Sequence, residues 1–128
     1  MIASTSPCPC LSGDTYGSCC GRFHSGETEA PTAERLMRSR YSAFAVGATD
    51  YLRRTWHPST RPDRLDLDPD QRWTGLDILG CMGGGLFEAE GTVEFVAHYV
   101  HAGQRDSLRE HSRFVREDGR WLYLDAID

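Results

Sequence analysis

The sequence predicts an α+β fold: a curved antiparallel sheet covered on one face by helices that precede it, with a small loop-built module ahead of both. Three observations carry this. Helical patterning is confined to the stretch between Pro31 and His57. Strand-like segments separated by glycine-containing turns fill the chain from Trp73 onward. Four of the five cysteines fall between Cys8 and Cys20, among Ser, Gly, Thr and Pro residues with no hydrophobic period. The expected division is a module over residues 1–30 and an α+β domain over 31–128.

Each element has a local reason. Pro31-Thr32 opens a helix, with Thr32 as cap. Arg35 stands where a capping box needs Glu or Gln, so the box is absent. Leu36, Met37, Tyr41, Phe44 and Ala45 follow helical spacing, and Gly47 stops the run. A second short helix is expected from Asp50 to His57, ended by Pro58. Residues 58–70 read as an ordered loop with room for one helical turn. Trp73 to Cys81 is a strand, broken by Gly83-Gly84-Gly85, either a turn or a loose loop at a cavity mouth. Leu86 to His101 is β-rich, with Gly91 as a candidate bulge. Residues 102–106 form a turn, Leu108 to Arg116 a strand, Glu117-Asp118-Gly119 a hairpin turn, and Arg120 to Ile127 the last strand.

Composition excludes several classes. All 14 basic residues are arginine, which removes lysine Schiff-base chemistry and the P-loop. The net charge of −5 makes nucleic acid a poor partner. No apolar run is long enough to cross a bilayer. Residues Met1 to Ser6 lack the basic and apolar regions of a signal peptide. The expected compartment is the reducing cytoplasm, where clustered cysteines bind metal more often than they form disulfides.

The pattern C-P-C-x8-C-C offers Cys8, Cys10, Cys19 and Cys20 as four soft ligands on a short loop, and tetrahedral zinc is the usual staple for four thiolates. Pro9 fixes one backbone angle of the first pair. Cys19 and Cys20 can share a metal only if their backbone is helical or turned. Disulfides and free thiols are the alternatives. A Cys19–Cys20 bridge would close a strained ring, and the reducing compartment disfavours the rest. His24 is placed beside the site, as hydrogen-bond donor to a thiolate or as a ligand in place of Cys20. With four cysteines bound, the zinc has no open position and is structural.

Elsewhere the candidates are weaker. Arg40, Tyr41, Trp56, His57 and His98 are the pocket candidates, Arg40 as an anion ligand or an ion-pair partner of an acidic residue. His98 shares a strand face with Glu94, a pairing that resembles acid–base machinery if that face is concave. Spacing assembles no nucleophile–base set, so catalysis is not expected. Cys81 is expected as a small core hydrophobe. Phe95, Tyr99, Phe114, Trp121 and Tyr123 are read as core and cross-strand packing.

Two stretches resemble known families. Cys8-Pro9-Cys10-Leu11-Ser12-Gly13, with Tyr16 and Cys19-Cys20-Gly21, resembles the SEC-C zinc motif found at the C-terminus of the SecA translocation ATPase. It departs from that motif in Leu11, where glycine is usual, and in lacking lysines between the cysteine pairs. Cys20–Gly26, Pro31–Glu34, Leu36–Phe44, Thr55–Pro62, Ser112–Val115 and Asp118–Tyr123 are similar to the YchJ-like family of bacterial proteins. That resemblance implies a nuclear-transport-factor-two-like (cystatin-like) cone from about residue 30 onward, often enclosing a pocket. It also implies an adaptor role, in which the zinc module meets a protein partner. The alternative is a small-molecule binder or enzyme using the cone's cavity, and ribosome or RNA association is a third, weaker reading. Either a monomer or a homodimer fits.

Overall fold

The computed structural model describes residues 2–127; Met1 and Asp128 lie outside the described residues. Helices precede a four-stranded sheet. After a single 3-10 turn at Tyr16–Ser18 come α1 (Cys20–His24), α2 (Ala33–Val46) and α3 (Thr49–Arg54). The strands are β1 (Gln71–Gly83), β2 (Glu90–His101), β3 (Gln104–Glu117) and β4 (Arg120–Ala126). They pair in sequence order as an antiparallel meander. The expected α+β order holds.

α2 begins and ends as its sequence dictates. The Thr32 hydroxyl accepts from the Arg35 amide at 3.1 Å, a one-way cap without the reciprocal glutamate. Gly47 closes the helix at φ 80°, a left-handed conformation that favours glycine. The helix has almost no solvent face: Leu36, Met37, Ser39, Arg40, Tyr41, Ser42 and Ala43 are all buried.

α3 is shorter than expected. It ends at Arg54, not at His57. The Tyr123 amide donates to Thr55 O and the His57 amide donates to Tyr123 O, both at 2.8 Å. The chain therefore leaves the helix to run beside β4, and this pairing ends α3 ahead of Pro58. The loop that follows holds one turn, in which the Thr60 and Arg61 amides both donate to His57 O.

Gly91 is not a bulge. The register shifts of the β1–β2 pair fall in β1, at Trp73/Gly75 and Ile78/Gly80, and they bend that edge strand. Gly91 is needed for close approach, since a Cβ there would lie 2.5 Å from Gly84 Cα. Gly84 in turn meets the start of α2: its carbonyl accepts from the Ala33 amide at 3.0 Å. The glycine run is thus a packed joint and not a loose mouth. Trp121 Nε1 donates to Pro31 O at 3.2 Å and ties β4 to the same joint. The core between helices and sheet is built on Leu36, Leu52, Val93 and Phe114, and Cys8, Cys10, Cys19 and Cys20 are continuous with it.

Candidate metal centre and the adjoining cavity

The N-terminal segment folds into a small clamp. The Cys8 amide donates to Asp14 O at 3.0 Å and the Tyr16 amide to Ser6 O at 2.8 Å, so residues 6–16 make a short hairpin. Inside it the Leu11 amide donates back to Cys8 O at 3.0 Å, which brings Cys8 and Cys10 to one side. Cys19 caps α1 and Cys20 is its first residue, the turned backbone that neighbouring ligands require.

The four sulfurs lie within 4.8 Å of one another, and all four cysteines are buried. The Cys10 and Cys19 sulfurs are 3.7 Å apart. Four sulfurs about 2.3 Å from a tetrahedral zinc would stand roughly 3.8 Å apart, so the spacing fits the ion. Ser12 Oγ lies 3.2 Å from Cys19 Sγ, and Ser42 Oγ lies 3.6 Å from Cys8 Sγ. Hydroxyls placed there donate to thiolates and spread their charge. Without an ion the sulfurs compete for protons: hydrogen bonds from Cys10 and Cys20 pull Cys8 down, while Cys20 is pushed up chiefly by its bond to Cys10. A divalent cation resolves that conflict by letting all four ionise.

His24 takes neither of its expected roles. Its Nε2–H donates to Ser39 O at 2.8 Å, so Nδ1 accepts from the Tyr16 hydroxyl. Both ring nitrogens therefore point away from the sulfurs. Burial holds its pKa below the usual histidine value, which favours this neutral form.

α2 separates the cysteines from a cavity. Steps of 100° per residue put Arg35, Arg38, Ser39 and Ser42 on one face and Met37, Arg40, Tyr41 and Phe44 on the opposite one. The first face meets the clamp: Arg38 donates to Cys10 O at 3.3 Å, and the Arg35 guanidinium lies over the Phe23 ring. The second face roofs a cavity of about 370 Å³, floored by Trp73, Phe95, Glu110 and Tyr123 among others. Exposed Leu108 and half-buried Gln71 stand at its rim.

Arg40 is only 4% exposed. Its Nη1 donates to Leu52 O at 2.8 Å and to Thr55 Oγ1 at 2.7 Å. The guanidinium carbon lies 5.0 Å from the centre of the Trp56 ring and 4.7 Å from that of the Tyr123 ring, in cation–π contact with both. Burial lowers its pKa to about 10, still cationic at neutral pH. The expected ion pair is absent among the described residues. Burial also raises Tyr41 and Tyr123 to about 12, so both stay protonated.

The structure brings Arg40, Tyr41 and Trp56 together at the cavity and leaves His57 and His98 outside it. His57 Nε2 pairs with Glu117 at 2.8 Å on the surface, where the chain runs beside β4. His98 points to the outer face of the sheet and pairs with Asp77 at 2.8 Å; its neighbour Glu94 pairs with Arg109. The inward face of β2 carries Val93, Phe95 and Ala97 instead. Cys81 is exposed on edge strand β1, its thiol donating to Glu34 Oε1 at 3.5 Å, and is not a core residue. The sequence reading missed Glu110 and Ser112. Their signal was the alternation Leu108, Glu110, Ser112, Phe114 along one face of β3.

Comparison with known proteins agrees with this geometry. Residues 32–126 match the family described as YchJ, middle NTF2-like domain, and residues 5–22 match the SEC-C motif. A UPF0225 protein of Streptomyces coelicolor is 58% identical over 122 residues, 95% of each chain. A UPF0225 protein of Deinococcus radiodurans is 52% identical over 124 residues, 95% of this chain and 89% of the relative. Among solved structures, a SEC-C motif containing protein from Rhodopseudomonas palustris is similar at a TM-score of 0.82 and 36% identity, covering 93% of this chain and 95% of that one. Another from Psychrobacter arcticus gives 0.82 and 29%, covering 98% and 84%. With a SEC-C cysteine clamp joined to an NTF2-like α+β domain, and with these relatives over almost its whole length, the chain belongs to the UPF0225, or YchJ-like, family.

Proposed function

We propose that this protein binds a small molecule in the cavity under α2, and that a structural zinc on Cys8, Cys10, Cys19 and Cys20 fixes the helix that roofs it. The observation that carries this reading is the cavity itself: about 370 Å³, with six aromatic side chains in its lining, one buried cation, Arg40, and one carboxylate, Glu110. Ligand sites are typically apolar hollows of roughly 300–1,000 Å³ with a few placed polar groups. A filled interior would have favoured the adaptor role. Arg40, Tyr41 and Tyr123 keep their protons at neutral pH, which suits binding rather than proton transfer.

Four thiolates with no open position select zinc over harder cations and give it no substrate to activate. Thiolates stay available in a reducing cytoplasm, the setting this reading requires. The division into residues 1–30 and 31–128 is part of the proposal, with the zinc clamp as the first unit.

The test is a titration of the zinc-loaded chain with indole, a neutral apolar probe, followed by calorimetry. Wild type is expected to bind with a Kd of millimolar or below. Ala97→Phe, which fills the cavity from β2, is expected to abolish binding. Failure of wild type to bind, or equal binding by the filled variant, would remove the cavity reading.

The adaptor reading has one observation of its own: Leu11, beside the cysteines, is 62% exposed. A stoichiometric protein partner seen by native mass spectrometry, and lost in Leu11→Ser, would favour it.

A further inference from the structure

From the free edge of the Arg40 guanidinium, we propose that the cavity's ligand is a small carboxylic acid with a flat apolar body, its carboxylate held side-on by that guanidinium. This rests on the cavity reading above and names the class of molecule the cavity takes.

Three observations place the carboxylate. Arg40 is 96% buried by its 4% exposure and lines the cavity. Only Nη1 has protein acceptors, Leu52 O and Thr55 Oγ1. Among the described residues, Nε and Nη2 make no hydrogen bond and no carboxylate is in ion-pair contact with this arginine, Glu110 acting on its charge only from farther off. Those two nitrogens make the edge of the guanidinium whose parallel N–H groups match the two oxygens of a carboxylate. The plane is also fixed in advance. Nη1 is anchored to the end of α3, and the mutually perpendicular Trp56 and Tyr123 rings pack against one side of the group. A pre-set fork loses little freedom when it binds.

The rest of the cavity sets the body of the ligand. Trp73, Phe44 and Phe95 supply flat apolar walls. The volume equals that of about a dozen waters at roughly 30 Å³ each, so a single or fused ring with a short acid arm fits. Glu110 is the opposing charge on the floor. The Ser112 hydroxyl donates to its Oε2 at 2.6 Å, which leaves that carboxylate oriented and only partly screened. An acid must therefore carry its charge at the Arg40 end, away from Glu110. A buried cation held by two neutral acceptors and two aromatic rings, with no carboxylate in ion-pair contact, gains from an anionic ligand that reaches its open edge.

Calorimetric titration of the zinc-loaded chain with phenylacetate, phenylacetamide and phenethylamine tests the class. Phenylacetate is expected to bind at least tenfold more tightly than the amide, and the amine weakest. Arg40→Gln should bring phenylacetate down to the level of the amide. Because Arg40 also holds the end of α3, Glu110→Gln provides a variant outside that joint: it should raise the preference for phenylacetate over phenylacetamide several-fold. Equal binding of acid and amide, or tightest binding of the amine, would overturn the carboxylate assignment while leaving the cavity reading intact. If none of the three binds and indole also fails, the cavity reading itself falls, and this proposal with it.

Discussion

Ser42 is fully buried on α2, far along the chain from the cysteines, yet its hydroxyl faces the Cys8 sulfur. A buried serine needs a partner, and a thiolate is a strong acceptor. Groups that hydrogen-bond to metal ligands commonly change affinity 10–100-fold when removed. Ser42→Ala is therefore expected to weaken zinc about tenfold in a competition titration with a chelator, without loss of the fold; unchanged affinity would show the contact to be incidental. Nothing in the sequence singled out this residue, because serine at a helix position reads as surface. The four cysteines were legible because their chemistry is rare and their clustering is local. His24 was legible as a neighbour of the site and misread as to role, because the carbonyl that holds it belongs to Ser39 on another element.

At the scale of elements, local signals set the boundaries where the cause was local. Thr32 and Gly47 bound α2 as their side-chain and backbone preferences require, and the turn residues Asp118 and Gly119, at φ 53° and 78°, form a tight hairpin. Local signals failed where another strand intervened. α3 ended early because β4 claims the backbone at Thr55 and His57, and Gly91 proved to be a point of close approach. Gly91→Ala should cost about 2–3 kcal/mol by overpacking against Gly84, lowering Tm by roughly 10 °C. Gly80→Ala, where an added Cβ meets nothing within 4 Å, should stay within about 0.5 kcal/mol. Calorimetric melting of both variants checks the pair, and equal losses would refute the close-approach account. The polar pairs of the outer sheet face, such as the Arg113–Asp125 ion pair and the His98–Asp77 hydrogen bond, are exposed and contribute little.

Across the whole molecule, α2 is the wall shared by the cysteine clamp and the cavity. Its Ser39 and Ser42 face looks to the clamp, and its Arg40 and Tyr41 face looks to the aromatic floor. Removing the proposed zinc should therefore disturb more than the N-terminal segment. Chelation of the purified protein is expected to release one zinc per chain and to speed amide exchange in residues 5–24. It should also speed exchange in the Ser39–Ala43 turn of α2, while the centre of β2 and β3 stays protected. Protection of α2 unchanged after zinc loss would show that the clamp is energetically separate. Among the described residues no helix is long and apolar enough to cross a membrane. The sequence by itself determined the α+β order, the cysteine cluster and most turns, because each rests on the chemistry of near neighbours. Only the tertiary structure decided that Arg40, Trp56, Trp73, Glu110 and Tyr123 share one cavity while His57 and His98 do not. Those side chains come from α2, the segment after α3, and three different strands, and which face each presents depends on register and on a helix end set by a distant strand.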